Sequence, residues 1–135
     1  MAITTNQVYS EIRDAVKATY TDAYVTSEKV YAPPHFPCVE VVEMDSYPER
    51  AGINLCMTDD QRRSVFEVQA FSNKTSGATL EARAIIELVT ATFKAMGYRC
   101  MTSAPVVNGA DSTIKRHVAR YTRVIGGGDT LTQEE

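Results

Sequence analysis

The sequence predicts an α+β domain: a mixed, mostly antiparallel β-sheet of about four to five strands with two helices packed on one face. Three observations carry this expectation. Residues 5–20 and 79–96 repeat apolar side chains at helical spacing. Residues 38–44, 64–72 and 113–124 are rich in β-branched and aromatic side chains, the composition that fits a pleated, half-buried surface. Proline, glycine and Asn-Gly punctuation separates these windows, as turn chemistry requires. With 135 residues, the chain has the length of one domain. Residues 1–125 are assigned to that domain and residues 126–135 to a C-terminal tail.

The elements follow in order. Thr4-Thr5-Asn6-Gln7 offers a capping box for the first helix, with Thr4 accepting from the third helical amide and Gln7 reaching back. Val8, Ile12, Ala15, Val16 and Thr19 share one side of its wheel, Tyr9 and Tyr20 lie at the edge, and Ser10, Arg13, Asp14 and Lys17 lie opposite. That is an amphipathic helix laid on a core. Residues 24–31 read as a short first strand. The three prolines of Ala32-Pro33-Pro34-His35-Phe36-Pro37 remove donors and favour extended backbone, so this stretch is a rigid connector. It delivers the strand at 38–44. Residues 45–62 contain Pro48, Gly52 and Thr58-Asp59-Asp60-Gln61 without sustained periodicity. They read as a loop with an extended piece at 53–57, and a loop so long is usually functional or mobile.

The strongest strand signal lies at 64–72, where Phe66, Val68 and Ala70 share one face. Residues 73–77 are turn chemistry, and the second helix runs to Met96, where Gly97 ends it by taking the left-handed conformation. Strands at 98–107 and 113–124 are then joined through Asn108-Gly109-Ala110-Asp111, a hairpin signal. In isolation Gly126-Gly127-Gly128 and the polar residues after it form a flexible tail.

The second helix carries more apolar surface than one sheet face requires. Arg83, Glu87, Thr90 and Lys94 form one narrow polar stripe, and only Glu81 and Thr92 interrupt the apolar arc around the rest. A stripe of roughly 100° suffices to cover a sheet, so this helix is expected to be contacted on more than one side. Either the first helix packs beside it, or a neighbouring subunit covers the edge that carries Ile86; the two arrangements are compatible.

The last strand is the other anomaly. Arg116, Val118, Arg120 and Thr122 fall on one face; Lys115, His117, Ala119, Tyr121 and Arg123 fall on the other. Neither is cleanly apolar, and charges inside a core need partners. Glu40, Glu43 and Glu67 are plausible cross-strand or cross-subunit partners. The pattern is open to three readings: a half-exposed edge strand protected by charge, a subunit interface where arginine is favoured and charge pairs fix register, or a basic rim touching DNA phosphates.

Composition excludes several classes. The hydrophobic fraction of 44% and charged fraction of 23% are ordinary for a soluble globular chain. A net charge of −3 argues against a dedicated nucleic-acid binder. Cys38, Cys56 and Cys100 are odd in number and widely spaced, so they read as reduced thiols rather than a disulfide framework. The first residues show no signal-peptide pattern, and no apolar run is long enough to span a bilayer.

Catalytic motifs are missing. The glycine run at 126–128 precedes no helix and cannot act as a phosphate cradle. No nucleophile elbow or His-Glu-x-x-His is present. His35, Cys38 and His117 do not make a metal site by spacing, nor is a Cys–His nucleophile supported. Asp59 and Asp60 read as solvated charges rather than a tuned acid–base pair. No enzyme activity, cofactor, metal or catalytic residue is expected.

The order of elements, with the strings FPCVEVVEMD, VQAFSNKTSG followed by Glu81-Ala82-Arg83-Ala84-Ile85, MGYR and VARY, resembles the tail terminator (tail-completion) proteins of siphophages and related prophages. The resemblance covers about residues 8–124. It implies a structural virion protein, assembled in the host cytoplasm, that forms a hexameric ring. Such a ring caps the tail tube, stops its polymerisation, and joins the tail to the head connector, with genomic DNA passing through its channel as cargo. The implied partners are further copies of the chain, the tail tube protein and the head-closure or connector protein. On this reading Arg116, Arg120, Arg123, Glu40, Glu43, Ile86, Asp59 and Asp60 are candidate interface residues. The loop bearing Asp59 and Asp60 is expected to order on docking. The alternatives are another head–tail connector component, such as a head-closure or adaptor protein, and a small ligand-binding α+β domain with a pocket of convergent polar groups.

Overall fold

The computed structural model describes residues 5–28, 35–48, 61–106 and 113–126. Their order is α1 (Thr5–Thr19), β1 (Tyr24–Thr26), β2 (Cys38–Pro48), β3 (Gln61–Ser72), α2 (Ala78–Ala95), β4 (Arg99–Val106) and β5 (Lys115–Gly126). The strands form one sheet in the order β1-β2-β3-β5-β4. Only β1 and β2 run parallel; the other neighbours are antiparallel. The α+β class and the two helices against the sheet are therefore as the sequence predicts.

Alternation along the strands separates two faces. Val39 and Val41 of β2, Phe66, Val68 and Ala70 of β3, and Ala119 and Tyr121 of β5 point to one side and are buried. The helices close that side. Val8, Ile12 and Val16 of α1 join Ala82, Ile85, Ile86, Val89 and Phe93 of α2 in the same cluster. Fully burying each large aliphatic side chain stabilises the fold by roughly 1.5–3 kcal/mol. An aromatic group locks the centre: the Phe93 ring stacks on Tyr121 at 4.2 Å, and Tyr98 meets Phe93 edge-on at 5.0 Å. The Tyr9 hydroxyl donates to the Val25 carbonyl at 2.9 Å and ties α1 to β1.

The end of α2 follows the sequence expectation. Gly97 sits at φ 84°. Its amide donates to the Lys94 carbonyl, and the Tyr98 amide donates to Phe93. This is the paired hydrogen-bond pattern of a Schellman motif, and the Tyr98–Phe93 contact supplies its hydrophobic clasp.

Several boundaries differ from expectation; β5, for one, runs to Gly126, the first residue of the expected tail. β2 continues to Pro48 and β3 begins at Gln61, so the ends of the expected loop belong to the sheet. A bulge between Glu43 and Asp45 lets the pairing run on, down to Pro48 opposite Arg62. Proline is admissible there because β1 pairs only with Cys38–Glu40, so among the described residues this end of β2 is an edge. β1 stops at Thr26, where the Glu28 amide turns back to donate to the Thr26 hydroxyl at 3.1 Å. The capping Thr4, the extended piece at 53–57, Asp59, Asp60, Cys56, the hairpin tip at 108–111 and the tail beyond Gly126 lie outside the described residues.

Candidate interface

Helices cover one face of the sheet, and the second face carries the charged residues of interest. Rows across it follow from the strand register. Val42 of β2 lies opposite Glu67 of β3, which lies opposite Arg120 of β5, which lies opposite Thr102 of β4. The next row is Glu40, Gln69, Val118 and Ala104, and the one after it Cys38, Phe71, Arg116 and Val106.

A continuous polar network ties two of the expected arginines together. Arg120 Nε donates to Glu67 Oε2 at 3.1 Å. Gln69 Nε2 donates to Glu67 Oε1 at 3.1 Å. Arg116 Nη1 donates to Gln69 Oε1 at 3.3 Å, and its guanidinium carbon lies 6.0 Å from the centre of the Phe71 ring. Glu67 is only 10% exposed at its side chain while Arg120 is 46% exposed. The carboxylate is thus held inside the face and the guanidinium reaches outward. Among the described residues Arg116 Nε has no hydrogen-bond acceptor. Half-buried Val42, Val65 and Val118 flank the network. A half-buried and an exposed arginine beside apolar side chains make a composition favoured at protein interfaces.

The other expected residues fall elsewhere. Glu40 is buried, at 3% exposure, on the same helix-free face; together with burial itself, its charge pushes the neighbouring Cys38 thiol up to about 12, burial being the larger cause. Such a thiol stays protonated and inert at neutral pH. Glu43 lies on the helix side, where it accepts from the Ser64 hydroxyl at 3.5 Å. Arg123 is buried on that side and donates through Nη1 to the Met96 carbonyl, at the negative end of the α2 dipole. Ile86 is 2% exposed and belongs to the core cluster. Arg123 and Ile86, read from the sequence as surface for a neighbour, are therefore internal to the chain. The excess apolar arc of α2 is covered on that edge by core packing that includes α1, while Leu80 remains 70% exposed.

The edge-strand reading of β5 is also corrected: β5 lies between β3 and β4. Its mixed composition is tolerated because each polar group on the core side finds a partner. The Tyr121 hydroxyl bonds Thr90 Oγ1 at 2.7 Å, His117 Nε2 bonds Ser103 Oγ at 2.9 Å, and Arg123 caps α2. The Thr90 and Ser103 partners escaped the sequence reading because their pairing depends on tertiary register rather than local spacing. Glu67 was legible as one of the three strand carboxylates named as partners for the arginines.

A groove of about 540 Å³ runs between α2 and β4, with His117 at its base beside Arg83, Glu87 and Ser103. Burial, assisted by the Arg83 charge and opposed by Glu87, holds the His117 pKa below its ordinary value. Among the described residues no carboxylate bonds the second imidazole nitrogen, so the Ser–His contact is not extended into a triad. Among the described residues no group of three or more metal-binding side chains comes together, and no helix is long and apolar enough to cross a membrane. No protein-family model and no curated protein matches this sequence.

Proposed function

We propose that this chain is a tail terminator: a structural virion protein that assembles into a ring, caps the tail tube, stops its growth, and joins the tail to the head connector with a channel for DNA. The observation that carries the reading is the one-sided sheet. Among the described residues its second face carries no helix; it holds the Arg116–Gln69–Glu67–Arg120 network, flanked by half-buried valines, with Arg120 reaching solvent. A two-layer fold with an organised charged-and-apolar face suits a protein whose work is contact with other subunits. The order of elements and the strings quoted above, which resemble the tail terminator family, support the same reading.

The test is arrest of tube growth. Added in excess to polymerising tail-tube subunits, the protein is expected to bind tube ends and hold the tube at fixed length. Tubes that lengthen unchanged, with no protein at their ends, contradict the proposal. A twelvefold assembly that binds the connector but ignores tube ends would favour the adaptor alternative.

A further inference from the structure

β4 is the least buried element of the fold. It spans Arg99–Val106, and every residue but the half-buried Cys100 is exposed. Met101 is 55% and Val106 38% exposed. The exposure applies to both faces, because α2 lies chiefly over β3 and β5, touches β4 less, and leaves the helix-side residues Ser103 and Pro105 bordering the open groove. Among the described residues the outer edge of β4 has no strand beside it. A long exposed edge is a template for another strand unless it is blocked, and Pro105 removes one donor from β4.

The opposite edge of the same sheet is β1, which among the described residues pairs only with β2. Following the pairing senses across the sheet, β1 and β2 run one way, β3 the other, β5 with β2, and β4 against it. β4 of one copy and β1 of another would therefore meet antiparallel. Charge agrees with this direction. Exposed Arg99 stands at the same end of the sheet toward which β1 runs, and exposed Glu28 follows β1 there. The helical layer agrees as well: α1 packs against β1 and β2, so a second copy joined through β1 carries its α1 toward the bare side of β4.

We propose that the outer edge of β4 pairs antiparallel with β1 of a second copy, so that the sheet of each subunit continues into the next. The inference rests on the ring reading above and names the surface that closes the ring. Because the two edges differ, the contact is head-to-tail, and its repetition gives a ring where the rotation closes, not a two-fold dimer. Arg99 and Glu28 face each other across the contact and fix its register.

The experiment compares the wild-type chain, Arg99→Glu, Glu28→Arg and the double exchange, by light scattering and by amide hydrogen exchange of the assembled and diluted protein. Each single variant is expected to shift the assembly at least tenfold toward monomer at fixed concentration, while its thermal melt stays near wild type. The double exchange is expected to restore assembly. The β4 amides from Cys100 to Ser103 are expected to exchange at least tenfold more slowly in the assembly than in the monomer. A ring that tolerates both single variants, with β4 amides exchanging equally fast in the two states, overturns the edge contact and leaves the ring reading intact. A chain that remains monomeric at all concentrations, alone and with purified tail tube, overturns both. Protection of β4 only when tube is present, in a single bound copy, assigns that edge to the tube and likewise overturns the contact between copies.

Discussion

Arg120 and Glu67 face each other across β5 and β3, and their unequal exposure decides what each contributes. Glu67 is held inside the face, so its charge requires the guanidinium and the Gln69 amide; a buried carboxylate left without partners is costly. Arg120 is about half exposed, so solvent screens the pair and keeps its coupling modest. Arg120→Ala is expected to lower protomer stability by about 1 kcal/mol, and a double-mutant cycle with Glu67→Gln by urea unfolding should return a coupling of similar size. A coupling of zero would mean that the pair does not organise this face. His117 offers a pH test. Its pKa is lowered in the folded chain, so between that value and the ordinary value near 6.5 the unfolded chain binds more protons. The associated stability is fully present above about pH 6.5 and is lost as pH falls through the folded value. Thermal melts are expected to fall on acidification below pH 6.5, with a shallower slope in His117→Gln; identical slopes would exclude the histidine as the cause. The groups around it are Ser103 of β4 and Arg83 and Glu87 of α2, so Arg83→Gln should also flatten the slope.

At the scale of elements, α2 separates core from surface. Ile86, Ile85, Val89 and Phe93 are buried against β3, β5 and α1, while Arg83, Ala84, Glu87, Ala91 and Lys94 face outward. Ile86→Asp introduces an unpaired charge into that core. It is expected to leave the protomer unfolded by circular dichroism, and Ile86→Ala to cost about 2–5 kcal/mol in denaturant unfolding. A folded Ile86→Asp protomer that merely fails to assemble would return this edge of α2 to the interface. Element identity was largely legible in the chain. The helical period of Val8, Ile12 and Val16, the alternation of Phe66, Val68 and Ala70, and the stop at Gly97 all express local rules that the structure follows. Strand extent and order were less so. The continuation of β2 past Glu43 depends on a bulge and on pairing with β3, and the internal position of β5 depends on which strands neighbour it. Both are long-range facts with no local sequence signal. For the same reason Arg123 reads as surface in the chain but is buried at the end of α2.

For the whole molecule, the decisive feature among the described residues is the asymmetry of the two layers. The helix-free sheet face holds an arginine–carboxylate network from which Arg120 reaches solvent, and strand β4 is exposed along its length. Closed rings arise when two different surfaces of one chain meet at a rotation that closes, and among the described residues the two sheet edges, β1 and β4, differ. Obligate subunit contacts bury on the order of 2,000 Å² or more, so a ring should melt well above the isolated protomer and in a concentration-dependent manner. The measurement that tests the central claim most directly is the molar mass of the purified chain by light scattering, across concentrations and with purified tail tube added. A sixfold assembly is expected, alone or at tube ends. A mass that stays at 14.9 kDa under every condition would contradict it.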